Sequence, residues 1–313
     1  RPAFGGGKPL TRRLAALAVA AALMTGTAVP AFADVYDIRK GSITIVANGD
    51  GTAKVTQNET VNDKDDDVKV TGSNEVTGNT VDIINNTDND LKVTLSDVTI
   101  TDPKGDAAPV SVSGTGNTAI ELDGSNTLKS SGWHAGLERN EEKNSDGNVV
   151  SGKLTIQDED KNGSLDATGG FGGAGIGGAN IKNSGALEIT GGTITATGKQ
   201  DGAGIGGGNG SDGNVTISGN AKIENATGGY GAAGIGGGAE SEPDDDGTGN
   251  KTGNKISIQG TEAGSPNITA KGGKASDDGL SGGAAIGSGS VYENDPQYPE
   301  EKAPAAITIE GKV

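Results

Sequence analysis

Residues 202–208 read Gly202-Ala203-Gly204-Ile205-Gly206-Gly207-Gly208, and this glycine-rich stretch decides the fold because the chain repeats it. Similar copies occupy residues 173–178, 232–238 and 283–289. Their central isoleucines, at positions 176, 205, 235 and 286, are separated by 29, 30 and 51 residues. A period of this length is typical of solenoids, propellers and other repeat arrays. The longer last interval is interpreted as one repeat that carries an insertion.

Each repeat also contains two segments in which apolar and polar residues alternate. The first kind occupies residues 187–191, 215–219, 256–260 and 307–311, and the second kind residues 165–169, 194–198, 223–228 and 268–272. Alternation with a period of two is the pattern of a strand that buries one face. Three short strands per repeat favour an all-β parallel β-helix with about 28–30 residues per coil over a propeller, whose blades need four strands.

The composition suits a solenoid better than a compact domain. Only 31% of the 313 residues are hydrophobic, 57 are glycine and the formal net charge is −17, values that would otherwise indicate disorder. A solenoid buries a narrow apolar column and gains stability from each neighbouring coil, so a low apolar content is sufficient. Cysteine is absent, which excludes disulfides, cysteine metal ligands and cysteine nucleophiles.

Three parts are predicted along the chain. Residues 1–33 have the basic start, the apolar run from Leu14 to Met24 and the final Ala31-Phe32-Ala33 of a secretory signal peptide. Residues 34–132 lack the glycine-rich element but keep the alternation, which indicates irregular N-terminal coils, the first of which could be a cap. Residues 133–313 are the glycine-rich β-helix, and both termini are interpreted as truncated. The charged inserts at 62–67, 138–147 and 240–253 are interpreted as solvated loops.

The signal peptide and the charge together limit the possible partners. An exported mature chain with no further apolar span is not expected to insert into a membrane. Removal of residues 1–33 takes away four basic residues and no acidic ones, so the mature chain is still more acidic. Such a chain repels phosphate backbones, and nucleic acid is therefore not expected as a partner. The oligomeric state stays open.

Several segments occur in a fixed order: Leu91-x-Val93-x-Leu95-Ser96-Asp97-Val98-Thr99-Ile100, residues 119–128, residues 154–156, residues 164–170 and the AGIGG copies. This order resembles a family of exported bacterial carbohydrate-binding proteins, over residues 35–313. The family is described as right-handed parallel β-helices, some of which bind pectic polysaccharide with calcium, and similar repeats occur in large surface proteins of Gram-positive bacteria. The resemblance implies a right-handed β-helix that binds polysaccharide at a bacterial cell surface without catalysis.

Aromatic residues recur at one position of the repeat. Phe171 and Tyr230 each lie five residues before a repeat isoleucine, and Gln200 holds that position in the copy between them. Coils stacked at the strand spacing of about 4.8 Å align these three residues, with the two rings about 10 Å apart. The pattern predicts a platform for sugar rings, with Trp133 as a further aromatic candidate. The alternative is that the rings only cover coil corners.

An acidic stretch predicts a calcium site. Residues 158–163 have the D-x-D-x-N-G order that places oxygen ligands at alternate positions before a sharp turn. The match to an EF-hand loop ends there, because its twelfth position is Gly169 rather than Glu. A weak calcium site formed by Asp158, Asp160, Asn162 and Asp166 is predicted, with a simple polar turn as the alternative.

Catalysis is not expected. His134 is the sole histidine, so no histidine-cluster metal site and no Ser-His-carboxylate set can be assembled without it. A β-helical lyase or glycosidase stays an alternative, but Arg39 and Arg139, the two arginines after the signal peptide, are not expected beside calcium ligands. The prediction is a non-catalytic carbohydrate-binding module. A structural stalk or adhesin that binds protein partners is the main alternative.

Overall fold

The computed structural model describes residues 34–72, 78–101, 103, 106–241, 244–245, 251–262, 264–276, 280–290 and 306–310. The predicted signal peptide lies outside the described residues. Apart from the 3₁₀ turn at Ile38–Lys40, the regular elements within those ranges are all strands, numbered β1 to β27 in chain order. None of the described residues forms a helix with the length and apolarity that a membrane span requires.

The strands form three long sheets. Sheet I contains β1 (Val35–Asp37), β5 (Val68–Thr71), β7 (Leu91–Ser96), β10 (Thr118–Asp123), β13 (Leu154–Gln157), β16 (Ala186–Ile189), β19 (Asn214–Ser218), β24 (Lys255–Gln259) and β27 (Ala306–Glu310). Sheet II contains β8 (Thr99–Thr101), β11 (Ser125–Lys129), β14 (Ser164–Phe171), β17 (Thr193–Lys199), β20 (Lys222–Thr227) and β25 (Asn267–Lys271).

Sheet III contains β2 (Ile43–Ala47), β3 (Ala53–Gln57), β4 (Thr60–Asp65), β6 (Val81–Ile84), β9 (Val110–Ser113), β12 (Leu137–Glu138), β15 (Ile176–Gly177), β18 (Ile205–Gly206), β21 (Ile235–Gly236) and β26 (Ile286–Gly287). A separate antiparallel pair, β22 (Asp244–Asp245) and β23 (Lys251–Thr252), lies within the predicted insert at 240–253.

From β7 onward the chain visits sheets I, II and III in turn. Apart from the antiparallel β3, β4, β22 and β23, each strand pairs in parallel with the strand one coil away. The repeat isoleucines show the register directly, because Ile176 pairs with Ile205, Ile205 with Ile235, and Ile235 with Ile286. The alternating segments follow the same rule, as in the pairing of Leu187 with Val215. The prediction of an all-β parallel β-helix is therefore confirmed.

One apolar column runs through the centre of the coils. Inward side chains of all three sheets are buried in a single cluster that extends from Tyr36 to Ile256. Each coil contributes a few residues to it, and most outward residues of the same strands are polar. The cluster and all three sheets continue across residues 132 and 133, so the irregular and glycine-rich regions share one core.

Glycine is required where the two-residue strands of sheet III stack. Gly206 has a φ of 136°, a backbone conformation that residues with a Cβ rarely adopt. An ideal Cβ on Gly206 would overlap the carbonyl oxygen of Gly236 in the next coil, and one on Gly177 would overlap that of Gly206. The glycine-rich runs are thus ordered parts of the stack, as the fixed isoleucine register indicates.

The first coil is an atypical unit. Strand β2 pairs in parallel with β6, but β3 and β4 fold back on it as antiparallel strands and extend sheet III. The interpretation of residues 62–67 as a loop is wrong for residues 62–65, which belong to β4, whereas most of the segment is exposed as the interpretation requires. The physical reason is a hairpin: β4 pairs with β3 across the two-residue turn at Asn58 and Glu59. The buried Asp65 at its end also accepts a 2.7 Å hydrogen bond from the Tyr36 hydroxyl.

The insert at residues 138–147 begins inside the protein rather than in solvent. Glu138 belongs to β12 and is buried, and Arg139 is fully buried. The Arg139 guanidinium donates hydrogen bonds of 3.1, 2.7 and 2.6 Å to the carbonyl oxygens of Val112, Gly114 and Gly152. A buried guanidinium is tolerated because its fork of donors is satisfied by backbone acceptors, so the interpretation of this start as a solvated loop is wrong.

Substitution of Gly206 tests the stacking constraint. We expect Gly206→Ala to lower the stability of the fold by about 3 kcal/mol or more, because a backbone clash between coils adds to the conformational strain. Gly210→Ala is the matched control: Gly210 has a φ of 68° but open space around its Cα, so only about 1 kcal/mol of strain is expected. Urea unfolding midpoints measure both. Equal losses would contradict the role of the close approach.

Candidate functional site

Three of the four aromatic residues in the described part of the chain lie at one kind of corner. Trp133, Phe171 and Tyr230 each stand where the chain passes from sheet II to sheet III, whereas Tyr36 belongs to the first coil. The three side chains are 49%, 46% and 50% exposed. Half-exposed rings at one corner are unusual in a chain with only 3% aromatic residues. We call Trp133, Phe171, Gln200 and Tyr230 the aromatic corner.

The coil register brings these residues into a row. Phe171, at the end of β14, pairs with Lys199, and Gln200 follows Lys199 at the same turn of the next coil. The backbone N–H of Phe171 donates a 2.7 Å hydrogen bond to Gly132, and that of Gly229 donates one of 2.9 Å to Gly202. Trp133, Phe171, Gln200 and Tyr230 thus occupy four consecutive coils. The partner of Phe171 is Lys199 rather than Gln200, after an irregularity between Thr168 and Phe171, so the row is offset by one position from the alignment that the sequence predicts.

The first two rings touch each other. The centroids of Trp133 and Phe171 are 4.5 Å apart and the ring planes meet at 66°, an edge-to-face contact. The contact fixes the orientation of both side chains, and about half of each remains open to solvent. From the sequence, a sugar platform and packing at the coil corner are alternatives. Here the two rings pack against each other and still expose ring surface, so the two roles are compatible.

A charged network holds the backbone beneath Trp133. The backbone N–H of Trp133 donates a 3.1 Å hydrogen bond to Oδ1 of Asp106, and the same oxygen lies 3.5 Å from Nε2 of His134. Nδ1 of His134 lies 2.7 Å from Oε2 of Glu138, and the same oxygen accepts the Ala135 N–H at 3.2 Å. The hydrogen bond with buried Glu138 raises the pKa of His134. The sole histidine thus links two carboxylates at the base of the aromatic corner.

The predicted calcium loop joins an acidic residue from the preceding coil. Glu121, Asp158 and Asp160 each offer a carboxylate oxygen, and these three oxygens lie within 4.8 Å of one another. We call these three residues the acidic cluster. Burial raises the pKa of Asp158, and the Asp160 carboxyl acts in the same direction. Carboxylate oxygens are the ligands that calcium prefers, so the donor set fits this ion.

Hydrogen bonds give the loop its shape. The Asp158 carboxylate accepts the backbone N–H groups of Asn162 and Gly163, both at 3.1 Å. Glu121 is also partnered, because it accepts the Glu159 N–H at 2.7 Å and the Gln157 side chain at 2.9 Å. The loop is therefore also a polar turn, as the sequence alternative predicts, and its carboxylates are held in place by it.

The two remaining predicted ligands differ in their positions. The Asn162 amide donates a 2.8 Å hydrogen bond to Asp160, so it borders the acidic cluster. Asp166 lies on β14 with its carboxylate 3.4 Å from Nζ of Lys129, and it is not a member of the cluster. Sequence reasoning missed Glu121. The pairing of Glu121 with Gln157 in sheet I places it beside the loop, and the register of the alternating segments is the signal that would have identified it.

The comparisons add no relative to these observations. Neither the family models, nor the curated proteins, nor the solved structures that were compared with the chain gave a match.

Titration of His134 tests the network under Trp133. Because its pKa is higher in the folded than in the unfolded chain, the protonated form stabilises the fold. That contribution is complete below the unfolded-state value near 6.5 and is lost as the pH rises through the higher folded-state value. Histidine NMR signals, unambiguous for a single histidine, measure the pKa.

We expect Glu138→Gln to lower the pKa of His134 and Asp106→Asn to lower it less, because Asp106 is farther away and more exposed. A His134 pKa at or below 6.5, or one that Glu138→Gln leaves unchanged, would contradict the assigned contact.

Proposed function

We propose that this protein is a non-catalytic polysaccharide-binding module of an exported bacterial protein, presented at the cell surface. The observation that carries the proposal is the aromatic corner, where half-exposed rings lie on three of four consecutive coils. Exposed aromatic faces combine a large apolar contact area with little conformational freedom to lose, which suits the apolar faces of sugar rings. The signal-peptide pattern and the family resemblance of the sequence support the export and the ligand class.

The geometry suits an extended glycan that lies along the axis of the solenoid. Phe171 and Tyr230 are two coils apart, about 10 Å at the strand spacing, and the exposed amide of Gln200 lies between them. Each ring can stack on one sugar, while the amide can exchange hydrogen bonds with hydroxyl groups. Trp133 continues the row by one more coil, so the corner offers several weak contacts rather than one deep pocket.

The absence of catalysis is part of the proposal, and two local observations support it. The carboxylates of Asp106 and Glu138, beside Trp133, are both engaged with His134 and with backbone N–H groups. Arg139 is fully buried and bonded to carbonyl oxygens, so it is not available as a lyase base. A glycosidase needs two carboxyl groups that face each other across the substrate, whereas Asp106 and Glu138 face His134.

A glycan array probed with the protein tests the function. We expect binding to one polysaccharide class, and we expect the double variant Phe171→Ala with Tyr230→Ala to weaken it by about tenfold or more, since each stacked ring contributes about 1 kcal/mol. Val149→Ala is the control, because Val149 is an exposed apolar residue on a different loop. An empty array would favour the structural stalk or adhesin, and full binding by the double variant would reject the aromatic corner. Release of new sugar ends from a bound polysaccharide would indicate an enzyme instead.

We further propose that the acidic cluster holds calcium and that the ion stiffens the loop between β13 and β14. Glu121, Asp158 and Asp160 would supply carboxylate oxygens, and Asn162 borders them. A divalent cation would offset the mutual repulsion of three carboxylates that lie within 4.8 Å of one another. The ion would supply charge neutralisation and rigidity rather than chemistry.

Calorimetry with calcium tests this second proposal. We expect Glu121→Gln and Asp160→Asn each to weaken calcium binding by about tenfold, since affinity at such sites follows the number of charged ligands. Asp166→Asn is the matched control and is expected to change the affinity by less than about twofold, because Asp166 pairs with Lys129 instead. No heat with the unaltered protein, or an equal loss in the control, would count against the cluster as the ligand set.

A further inference from the structure

A groove adjoins the aromatic corner where the sixth, seventh and eighth coils meet. It has a volume of about 240 Å³ and is lined by three lysines, Tyr230, Gln200, Thr227 and a series of glycines. The lysines are Lys199 from β17, Lys271 from β25 and Lys274 just beyond β25. We call it the lysine groove.

The charge of the groove is opposite to that of the protein. The chain has a formal net charge of −17, yet no carboxylate is among the described residues that line the groove. Lys199, Lys271 and Lys274 also form no ion pair within the described part of the chain. Many other lysines do, such as Lys69 with Asp123 and Lys129 with Asp166. Three positive charges are therefore concentrated at one place and left available to a ligand.

The arrangement of these charges points to a particular kind of anion. Lys199 and Lys271 belong to coils two apart, so their backbones are separated by about 10 Å, with Tyr230 on the coil between them. Three separate ammonium groups around one space suit an anion with at least three free acceptor oxygens. Phosphate and sulfate esters have such oxygens, and lysine binds them as a flexible point charge. A carboxylate offers only two oxygens.

We propose that the lysine groove binds phosphate or sulfate esters carried by a glycan, directly and without a bridging metal ion. This inference rests on the proposed polysaccharide-binding function and specifies its ligand: the sugar ring stacks on Tyr230 while its ester reaches the lysines. The acidic remainder of the surface repels anionic chains elsewhere, so a polymer with such esters is held in one register. The groove thus selects glycans that carry an ester, whereas the rings of the aromatic corner alone would accept many sugars.

Four polymers with one common backbone test the proposal: dextran, carboxymethyl dextran, dextran sulfate and phosphorylated dextran. Their binding to the full chain is measured by biolayer interferometry in the presence of a chelator, which removes any calcium bridge. We expect the two ester polymers to bind about tenfold or more tightly than dextran, and more tightly than carboxymethyl dextran. The pair of ester polymers also shows which of the two esters the groove prefers.

Two triple variants with the same change in charge locate the binding. The groove variant, Lys199→Gln with Lys271→Gln and Lys274→Gln, is expected to lose the preference for esters by about tenfold or more. The control variant replaces exposed lysines elsewhere, Lys40→Gln with Lys92→Gln and Lys182→Gln, and is expected to stay within about twofold of the unaltered protein. Circular dichroism confirms that both fold.

Three outcomes would overturn the proposal: no preference for esters over dextran, equally tight binding of carboxymethyl dextran, or an equal loss in both variants. Failure of the groove is distinguishable from failure of the proposed function. Binding of neutral glycans through Phe171 and Tyr230 with no ester preference would reject the groove alone. Ester binding that depends on the groove lysines, with no glycan of the array bound through the rings, would reject the aromatic corner alone.

Discussion

The close stacking of one coil on the next is the constraint on which the structure depends. Parallel strands pair at about 4.8 Å, and in sheet III from β12 onward only two residues per coil make this contact. The N–H of Ile205 donates a 3.0 Å hydrogen bond to Gly234, and the N–H of Gly207 one of 2.9 Å to Gly236. Such short strands leave no space for a side chain at Gly206. Each buried isoleucine then lies on the one below, which is why a chain with few apolar residues can form a continuous core.

The repeated part of the fold could be predicted from the sequence because the spacing of identical residues gives the pairing register between neighbouring coils. Ile176, Ile205, Ile235 and Ile286 identify equivalent points, and everything aligned with them follows, including Phe171 and Tyr230. What could not be predicted depends on contacts between unlike segments. From the sequence, Arg139 is assigned to a charged loop. The neighbouring residues give no sign that three carbonyl oxygens from other parts of the chain accept its hydrogen bonds. The interpretation of residues 62–67 as a polar loop fails for a different reason. Their polar and charged residues lack the apolar alternation from which a strand is predicted, although residues 62–65 belong to β4 and pair with the adjacent β3.

The candidate sites show the same division. Phe171, Gln200 and Tyr230 each lie five residues before a repeat isoleucine, so their alignment could be predicted from the sequence to within one position. Trp133 lies four residues before Leu137, which pairs with Ile176, and the repeat does not align it. The acidic cluster combines a local loop with Glu121 from the preceding coil. Only the loop residues, Asp158 and Asp160, could therefore be predicted from the sequence. Both sites lie where a coil can change its side chains without changing the stack. The coils therefore share one backbone arrangement, whereas the side chains at their corners differ. One corner has Trp133, and others have Tyr230 and the groove lysines.

The antiparallel strand β4 has a consequence for the behaviour of the protein in concentrated solution. A solenoid built from similar coils is exposed to end-to-end polymerisation, because the free edge of a terminal sheet is a template for a strand of another molecule. In sheet III that edge is occupied by β4, whose residues include Asn62, Asp63 and Lys64 and whose Asp65 points inward. Charged side chains and an inward carboxylate are the means by which edge strands avoid such pairing. The side chains of β4 therefore disfavour growth of the coil stack by strand pairing at this edge of sheet III.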